Sequence, residues 1–227
     1  MVAPHPLDNP ARAALLGPQA HLAERCGVAL RYPADVSPFI ALPDQPGPDA
    51  WDDLAKLTGP AGVVSTAGVA AEPAPGWQVV MRIDGVQLVA DEAVGAYDGD
   101  AVVLGPADVP EMLDLAARTR PGPFLPRTIE FGGYLGIRRG GVLAAMAGER
   151  LRPPGWTEIS AVCTAPEFRG QGLATRLTLA VTAAIIDRGD TPFLHAAAEN
   201  VSAIRLYSAL GFRLRRQAEF VVVRAPT

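Results

Sequence analysis

The feature that most restricts this chain is the corner TAPEFRGQGLATRL, residues 164–177. A β-like run, TEISAVCT, enters it. A run with helical spacing leaves it, because Leu173, Leu177, Ala180, Val181, Ala184 and Ile185 recur every three or four residues. Two glycines within three residues cost backbone entropy on folding, so Gly170 and Gly172 need a reason. A strand, a glycine turn and a helix start together leave N–H groups unpaired at the positive end of a helix dipole. The corner is therefore expected to bind an anion, with phosphate the natural occupant.

Three phosphate-binding patterns compete for it. A P-loop needs GxxxxGK[ST], and the sequence has no such string. A dinucleotide corner needs GxGxxG. Here Leu173-Ala174-Thr175 follows Gly170-Gln171-Gly172, so the third glycine is missing, and the acid Asp187 falls at the end of the helix. The third pattern is a cradle for the pyrophosphate of coenzyme A.

The region from residue 101 reads clearly. AVVLG is a strand and ADVPEMLDLAART a helix with Asp108 and Glu111 at capping-box spacing. YLGIR and VLAAMAGERL form a hairpin around Gly140-Gly141. TEISAVCT is a central strand, the corner and its helix follow, TPFLHAAA is the next strand, and VSAIRLYSAL is a helix closed by Gly211. FRLRRQAEFVVVR reads as two short strands. The expected fold class is α/β (α+β), a mixed sheet with helices on its faces. The first hundred residues are less regular. Two short helices are expected in LDNPARAALLG and GPQAHLAERCG, a strand in PFIALP, a helix in PDAWDDLAKLTG and a strand in GVVSTAG. WQVVMRIDGVQLVAD reads as a hairpin turning at Asp84-Gly85. YDGD, residues 97–100, separates the two regions, so the expected organisation is an N-terminal region 1–100 and a domain 101–227.

Composition excludes several classes. At 227 residues and 49% hydrophobic content the chain can bury a full core. It has no apolar run near the roughly 18 residues a membrane helix needs. Its N-terminus lacks a basic start and a long apolar stretch, so a cytoplasmic location is expected and no membrane partner. The two cysteines, Cys26 and Cys163, lie far apart without metal-ligand spacing, and neither a disulfide framework nor a metal site is expected. Acidic side chains outnumber basic ones 16 to 7 over residues 1–120, and basic outnumber acidic 13 to 8 afterwards. No basic run carries interleaved aromatics, so nucleic acid is not expected; a small phosphorylated ligand suits this modest excess. All the basic residues but Lys56 are arginines, which favour bidentate phosphate contacts. The acidic first half suggests steering of a cationic amine.

RGQGLA resembles the arginine/glutamine-x-x-glycine-x-glycine/alanine signature of the GNAT superfamily of acyl-CoA-dependent N-acyltransferases, with Arg169, Gly172 and Ala174 at its three positions. VCTAPEF is similar to that superfamily's bulged strand, and AENVSAIRLYSALGF to its second motif. The resemblance covers about 125 residues and leaves residues 1–100 as a degenerate partial repeat or a cap. It implies an N-acetyltransferase that uses acetyl-CoA as co-substrate and transfers the acyl group directly to an amine, on a small molecule or a peptide, as a monomer or homodimer. The alternative is a non-catalytic acyl-CoA sensor of the same fold. It also implies that the sheet is mostly antiparallel, with a cofactor slot between the splayed strands 157–164 and 191–198. Val162, Cys163 and Thr164 would line it, with the backbones of Val162 and Thr164 on the pantetheine arm. Arg169, Gly170, Gln171, Gly172, Leu173, Ala174 and Thr175 would hold the pyrophosphate, and Asn200 would touch the cofactor.

Tyr207 would be the acid for the departing thiolate, since a phenol of ordinary pKa near 10 can donate to a thiolate of comparable basicity. For the base, Glu158, Glu149 and a water chain remain open; a carboxylate flanked by apolar residues can titrate high, and the alternative is an exposed carboxylate or an ion pair with one of the nearby arginines. His195 is read as a satisfied core or substrate-wall residue, and Cys163 as a packed thiol. The acceptor is expected to be set by loops around 121–133 and 152–156, with residues 1–100 as a further candidate determinant and Phe124, Leu125, Phe131 and Trp156 as a candidate apolar wall.

Overall fold

The computed structural model describes residues 5–69, 71–90 and 95–227. The N-terminal part begins with helix α1 (Pro10–Leu15), where Pro10 sits in the first turn and loses no hydrogen bond. A small antiparallel sheet follows: β1 (Glu24–Cys26), β2 (Ala29–Arg31) and β3 (Ile40–Ala41). The second short helix expected before β1 is a single 3-10 turn, Ala20–Leu22. Helix α2 (Pro48–Thr58) has Asp49 in its first turn and buries Ala50, Trp51 and Leu54.

The large sheet has eight strands: β4 (Val63–Ser65), β5 (Gln78–Val89), β6 (Ala101–Val103), β7 (Tyr134–Arg139), β8 (Val142–Glu149), β9 (Trp156–Thr164), β10 (Thr191–Ala197) and β11 (Arg213–Arg224). Their order across the sheet is β4-β11-β5-β10-β9-β8-β7-β6. Only β9 and β10 pair in parallel among the described strands of this sheet. Helix α3 (Val109–Thr119) lies between β6 and β7 in sequence, α4 (Leu173–Asp187) between β9 and β10, and α5 (Val201–Ala209) between β10 and β11.

Period-two alternation gives the sheet two cores. Leu88 and Leu194 pack with Leu173, Leu177, Val181 and Ile185 of α4 and with Tyr207 of α5. Their neighbours Val89 and Phe193 turn the other way, toward Leu7, Ala11 and Leu15 from the start of the chain. Farther along, α3 buries Met112 and Leu115 against Met146, Ala161 and Cys163. None of the helices among the described residues is long and apolar enough to cross a membrane.

Three expectations about elements fail. WQVVMRIDGVQLVAD is not a hairpin. β5 runs through Asp84-Gly85 because β11 pairs along its length, with Gly85 opposite both Ala218 and Ala197. A Cβ on Gly85 would lie 3.0 Å from the Ala196 carbonyl and 3.3 Å from the Phe220 ring, so this glycine serves close packing rather than a turn. Residue 91, its expected end, lies outside the described residues. FRLRRQAEFVVVR is one strand, β11, with irregular register between Leu214 and Arg216. Asp108 does not cap α3: its carboxylate accepts from Gly105 N–H at 2.8 Å and from Arg138 at 2.6 Å, and Glu111 pairs with the same arginine.

The division expected near residue 100 does not divide the sheet. β5, from the N-terminal region, lies between β10 and β11, and β4 pairs the other side of β11. YDGD is a turn pinned to α4, where Arg176 bridges Asp98 and Asp100.

Candidate active site

β9 and β10 pair from Trp156 with Thr191 to Ile159 with Leu194, and then separate. The cause is visible in β9. Its register with β8 slips between Ser160 and Cys163, and Ala161 takes a positive φ of 53°. One extra residue bends the strand, as a β-bulge does. Beyond the bulge, Ala165 N–H donates to the Ala144 carbonyl at 2.8 Å, so the alternation of an antiparallel ladder turns the Thr164 amide and carbonyl away from β8 and toward the slot. The Val162 backbone, two residues earlier, has the same orientation. Cys163 between them pairs with Met146 and is buried against α3, where desolvation, chiefly, pushes its thiol up to about 11. It is a packing residue whose backbone pairs with β8, and contrary to expectation it does not line the slot.

At the slot's end stands the glycine corner. Gly170 and Gly172 have φ of 78° and 71°, which L side chains rarely adopt. A Cβ on either would meet no atom within 4 Å, so crowding does not require these glycines; the turn does. Gly172 is the N-cap of α4 and no side chain caps it. The N–H groups from Gly170 to Thr175 have no acceptor among the described residues. Arg169 and Gln171 are exposed beside them. A fifteen-residue helix thus opens with free donors in a solvent-facing turn, the arrangement an oxyanion requires.

Tyr207 and Asn200 both line the cavity that fills the slot. Asn200 is the N-cap of α5: its Oδ1 accepts from Ala203 N–H at 3.1 Å and from Ser202 Oγ at 3.0 Å, which leaves its amide nitrogen for a ligand. The Tyr207 hydroxyl makes no hydrogen bond among the described residues, although its ring packs against Phe212. Burial, and then the nearby Cys163, raise its pKa to about 12. Tyr207 therefore stays protonated throughout the neutral range, and full proton transfer to an ordinary thiolate would run uphill by roughly three powers of ten. Its hydroxyl is better suited to donate a hydrogen bond that stabilises developing charge than to give up its proton.

The two carboxylates expected as bases are both engaged. Glu158 is fully buried. It accepts from Arg150 Nε at 2.8 Å and Nη2 at 2.6 Å, and it meets His195 Nδ1 at 2.7 Å. Burial alone would push Glu158 up, but Arg150, and then His195, hold its pKa down to about 2. The high-titrating alternative fails there, because the apolar strand brings a matched cation with it. Glu149 lies at the end of β8, bonded to Arg188 at 2.8 Å and pressed against Gly132 and Gly133, and it does not line the cavity. His195 does line it, with its Nε2 3.1 Å from the Gln87 amide nitrogen.

The cavity has a volume of about 560 Å³. One side is the slot, with Ser160, Val162, Ala197 and Asn200. The other comes from residues before 101: Pro38, Phe39, Val63, Val64, Ser65 and Ile83. Residues 1–100 were a candidate for this side, but these six residues carry no signal in the sequence, because no local motif announces that β4 and β5 join the sheet. None of the six is acidic, so the first half places no carboxylate on the cavity wall. Of the loops expected to shape the acceptor side, Pro121, Gly122 and Pro123 do line it. The aromatics expected there pack elsewhere: Phe124 on Tyr134, Phe131 on Tyr32 and Trp156 on His5.

The model of the FR47-like protein family matches residues 134–221, from β7 into β11. A solved GNAT-family protein from Novosphingobium aromaticivorans is similar over 99% of this chain and 100% of its own, at 42% identity and a TM-score of 0.89. A GCN5-related N-acetyltransferase from Kribbella flavida shares the fold over 97% of this chain and 96% of its own, at 21% identity and a TM-score of 0.63. No curated protein matches the chain.

Proposed function

The chain belongs to the GNAT family, and from that premise we propose that it transfers an acyl group, most simply acetyl from acetyl-CoA, to an amine in a ternary complex. One observation carries the reading: the open backbone edge of β9 leads directly to the unpaired N–H groups of Gly170–Thr175. The first suits an amide-containing arm that adds to a strand edge; the second suits a pyrophosphate. Val162 and Thr164 would bind the arm, Arg169 to Thr175 the pyrophosphate, and the Asn200 amide the cofactor's flank. The amine nitrogen attacks the thioester carbon, the C–N bond forms and the C–S bond breaks. Tyr207 donates a hydrogen bond to the sulfur as it gains charge. With Glu158 and Glu149 engaged in ion pairs, the ammonium proton leaves through water at the cavity mouth, near the exposed Glu199.

The second reading, an acyl-CoA sensor without turnover, is favoured by one fact: neither expected carboxylate base is free in the cavity. Release of free CoA thiol separates the two. With acetyl-CoA and a panel of primary amines, the transferase releases thiol in proportion to N-acetylated product. Tight binding of acetyl-CoA with no release above hydrolysis across the panel would leave the sensor. Residues 1–100 act in either case as a wall of the cavity as well as part of the sheet.

A further inference from the structure

We propose that the acceptor amine also carries a carboxylate, and that Arg150 is the specificity residue that reads it. The inference rests on the acyl-transfer reading above and narrows its substrate.

Arg150 follows β8 and lines the cavity with its side chain nine-tenths buried. Its guanidinium is fixed from two directions. Nε and Nη2 donate to the two oxygens of Glu158, and the plane lies over the Phe39 ring at 5.0 Å from its centroid. Glu158 is itself held by His195, His195 by Gln87, and Gln87 by Arg215. This buried relay leaves Nη1 without a hydrogen-bond partner among the described residues. Nη1 faces the turn at Gly122, another cavity residue, 4.0 Å from where a Cβ on that glycine would sit. Nη1 is open to the cavity rather than sealed in the interior, so a ligand in the cavity can meet its donors. A planar oxyanion completes it best, because guanidinium donors match carboxylate geometry.

The surroundings favour the same chemistry. Arg120, exposed at the end of α3 with a φ of 52°, lines the rim and has no ion-pair partner among the described residues. Glu199 is the one carboxylate among the lining residues. Phe39, Ile83, Phe220 and Val222 supply an apolar surface beside these arginines. An apolar α-amino acid has the three parts this wall requires: an amine, a carboxylate and an apolar body.

The test uses the full chain, acetyl-CoA and matched acceptors: L-phenylalanine against L-phenylalaninamide and 2-phenylethylamine, and L-leucine against L-leucinamide, with rates referred to the free-base fraction of each amine. The proposal predicts a kcat/KM higher by about 30-fold or more for the acids, the scale of losing one partner of a buried charge pair. In Arg150→Gln/Glu158→Gln, which removes both charges together, the acid-to-amide ratio falls toward one. Should that variant fail to fold, Arg120→Gln, at an exposed position, lowers the ratio in part. Transfer to acids and amides at equal rates overturns the proposal and leaves the acyltransferase. A carboxylate preference that appears only on the acyl donor, succinyl-CoA over acetyl-CoA with a neutral amine, also overturns it. If no amine is acylated, the acyl-transfer reading falls by itself, and calorimetry with CoA present decides this one. Selective binding of N-acetyl-L-phenylalanine over its amide supports the carboxylate site, and equal binding of the two overturns it.

Discussion

Gln87 places its amide nitrogen 3.1 Å from His195 Nε2, and Arg215 decides that it is the nitrogen and not the oxygen that faces the ring. Arg215 Nη1 donates to the Gln87 oxygen at 2.8 Å, and the Gln87 nitrogen also donates to the Leu7 carbonyl at 2.9 Å. His195 must then accept at Nε2 and hold its proton on Nδ1, toward Glu158. The ring spans β10 and β9 and does not offer a free basic nitrogen to the cavity. Nitrogen NMR of the labelled imidazole should find Nε2 in the unprotonated range. Gln87→Leu leaves His195 Nε2 without its donor, while Arg215 keeps Asp8, and should cost about 1–3 kcal/mol. A proton on Nε2 in the wild type would contradict the assignment.

Glu158 links stability to acid. Its folded pKa of about 2 lies below the ordinary carboxylate value, so its contribution is complete above the unfolded pKa and is lost as pH falls through the folded one. The window is about pH 5 down to pH 2. Glu158→Leu, which leaves Arg150 buried and unpaired, should cost about 3–5 kcal/mol; Arg150→Met/Glu158→Leu should cost less than that single change. Denaturant melts across this pH range check both. If Glu158→Leu were the milder change, the ion pair would not be the element that matters.

Tyr207→Phe removes one hydroxyl and little packing. The expected result is a fall in kcat of about 10- to 100-fold, at or below the low end for acid catalysis, with acetyl-CoA affinity unchanged. Because its pKa is raised to about 12, the wild-type pH profile should show no descending limb from this group at neutral to mildly alkaline pH. A limb near pH 9 that vanishes in Tyr207→Phe would mean that the phenol ionises far more easily than its burial implies.

Two glycines with left-handed torsions should respond differently to alanine. At Gly172 the new methyl meets no protein atom within 4 Å, so the cost is torsional, about 1–2 kcal/mol. At Gly68, with φ of 73°, the same methyl would sit 2.6 Å from His195 Nε2 and disturb the relay behind Arg150. Gly68→Ala should therefore destabilise more, by about 2–4 kcal/mol in all. Equal melting temperatures for the two variants would argue against the contact.

The sequence-visible part of this protein is its local part. The bulged strand, the glycine corner and α4 were legible because each depends on residues adjacent in the chain: alternation in TEISAVCT, two positive torsions at Gly170 and Gly172, and a four-residue repeat from Leu173 to Ile185. Asn200 and Tyr207 were assigned through the resemblance of AENVSAIRLYSALGF to the GNAT second motif, and both line the cavity. What escaped was non-local. Asp84-Gly85 has the composition of a turn, and only β11 and β10 on either side make it a strand. Glu158 in an apolar run left a high-titrating acid and an ion pair with a nearby arginine both open; that the partner is Arg150, in the β8–β9 connection, depends on how the two strands pair. Phe39 and Ser65 carry no signal of their own, since their place on the cavity wall follows from β4 reaching the sheet edge.

Acyl-CoA binding by this chain depends on whether the corner after β9 holds a pyrophosphate. Isothermal titration of acetyl-CoA and of desulfo-CoA into the wild-type chain and into Arg169→Glu/Gly172→Asp tests this directly, with thermal melts to confirm that the variant is folded. The account predicts that both ligands bind the wild type and that neither binds the folded variant, since two carboxylates would then occupy the open end of α4. Wild-type protein that binds neither ligand, or a variant that binds both as well as wild type, would contradict it.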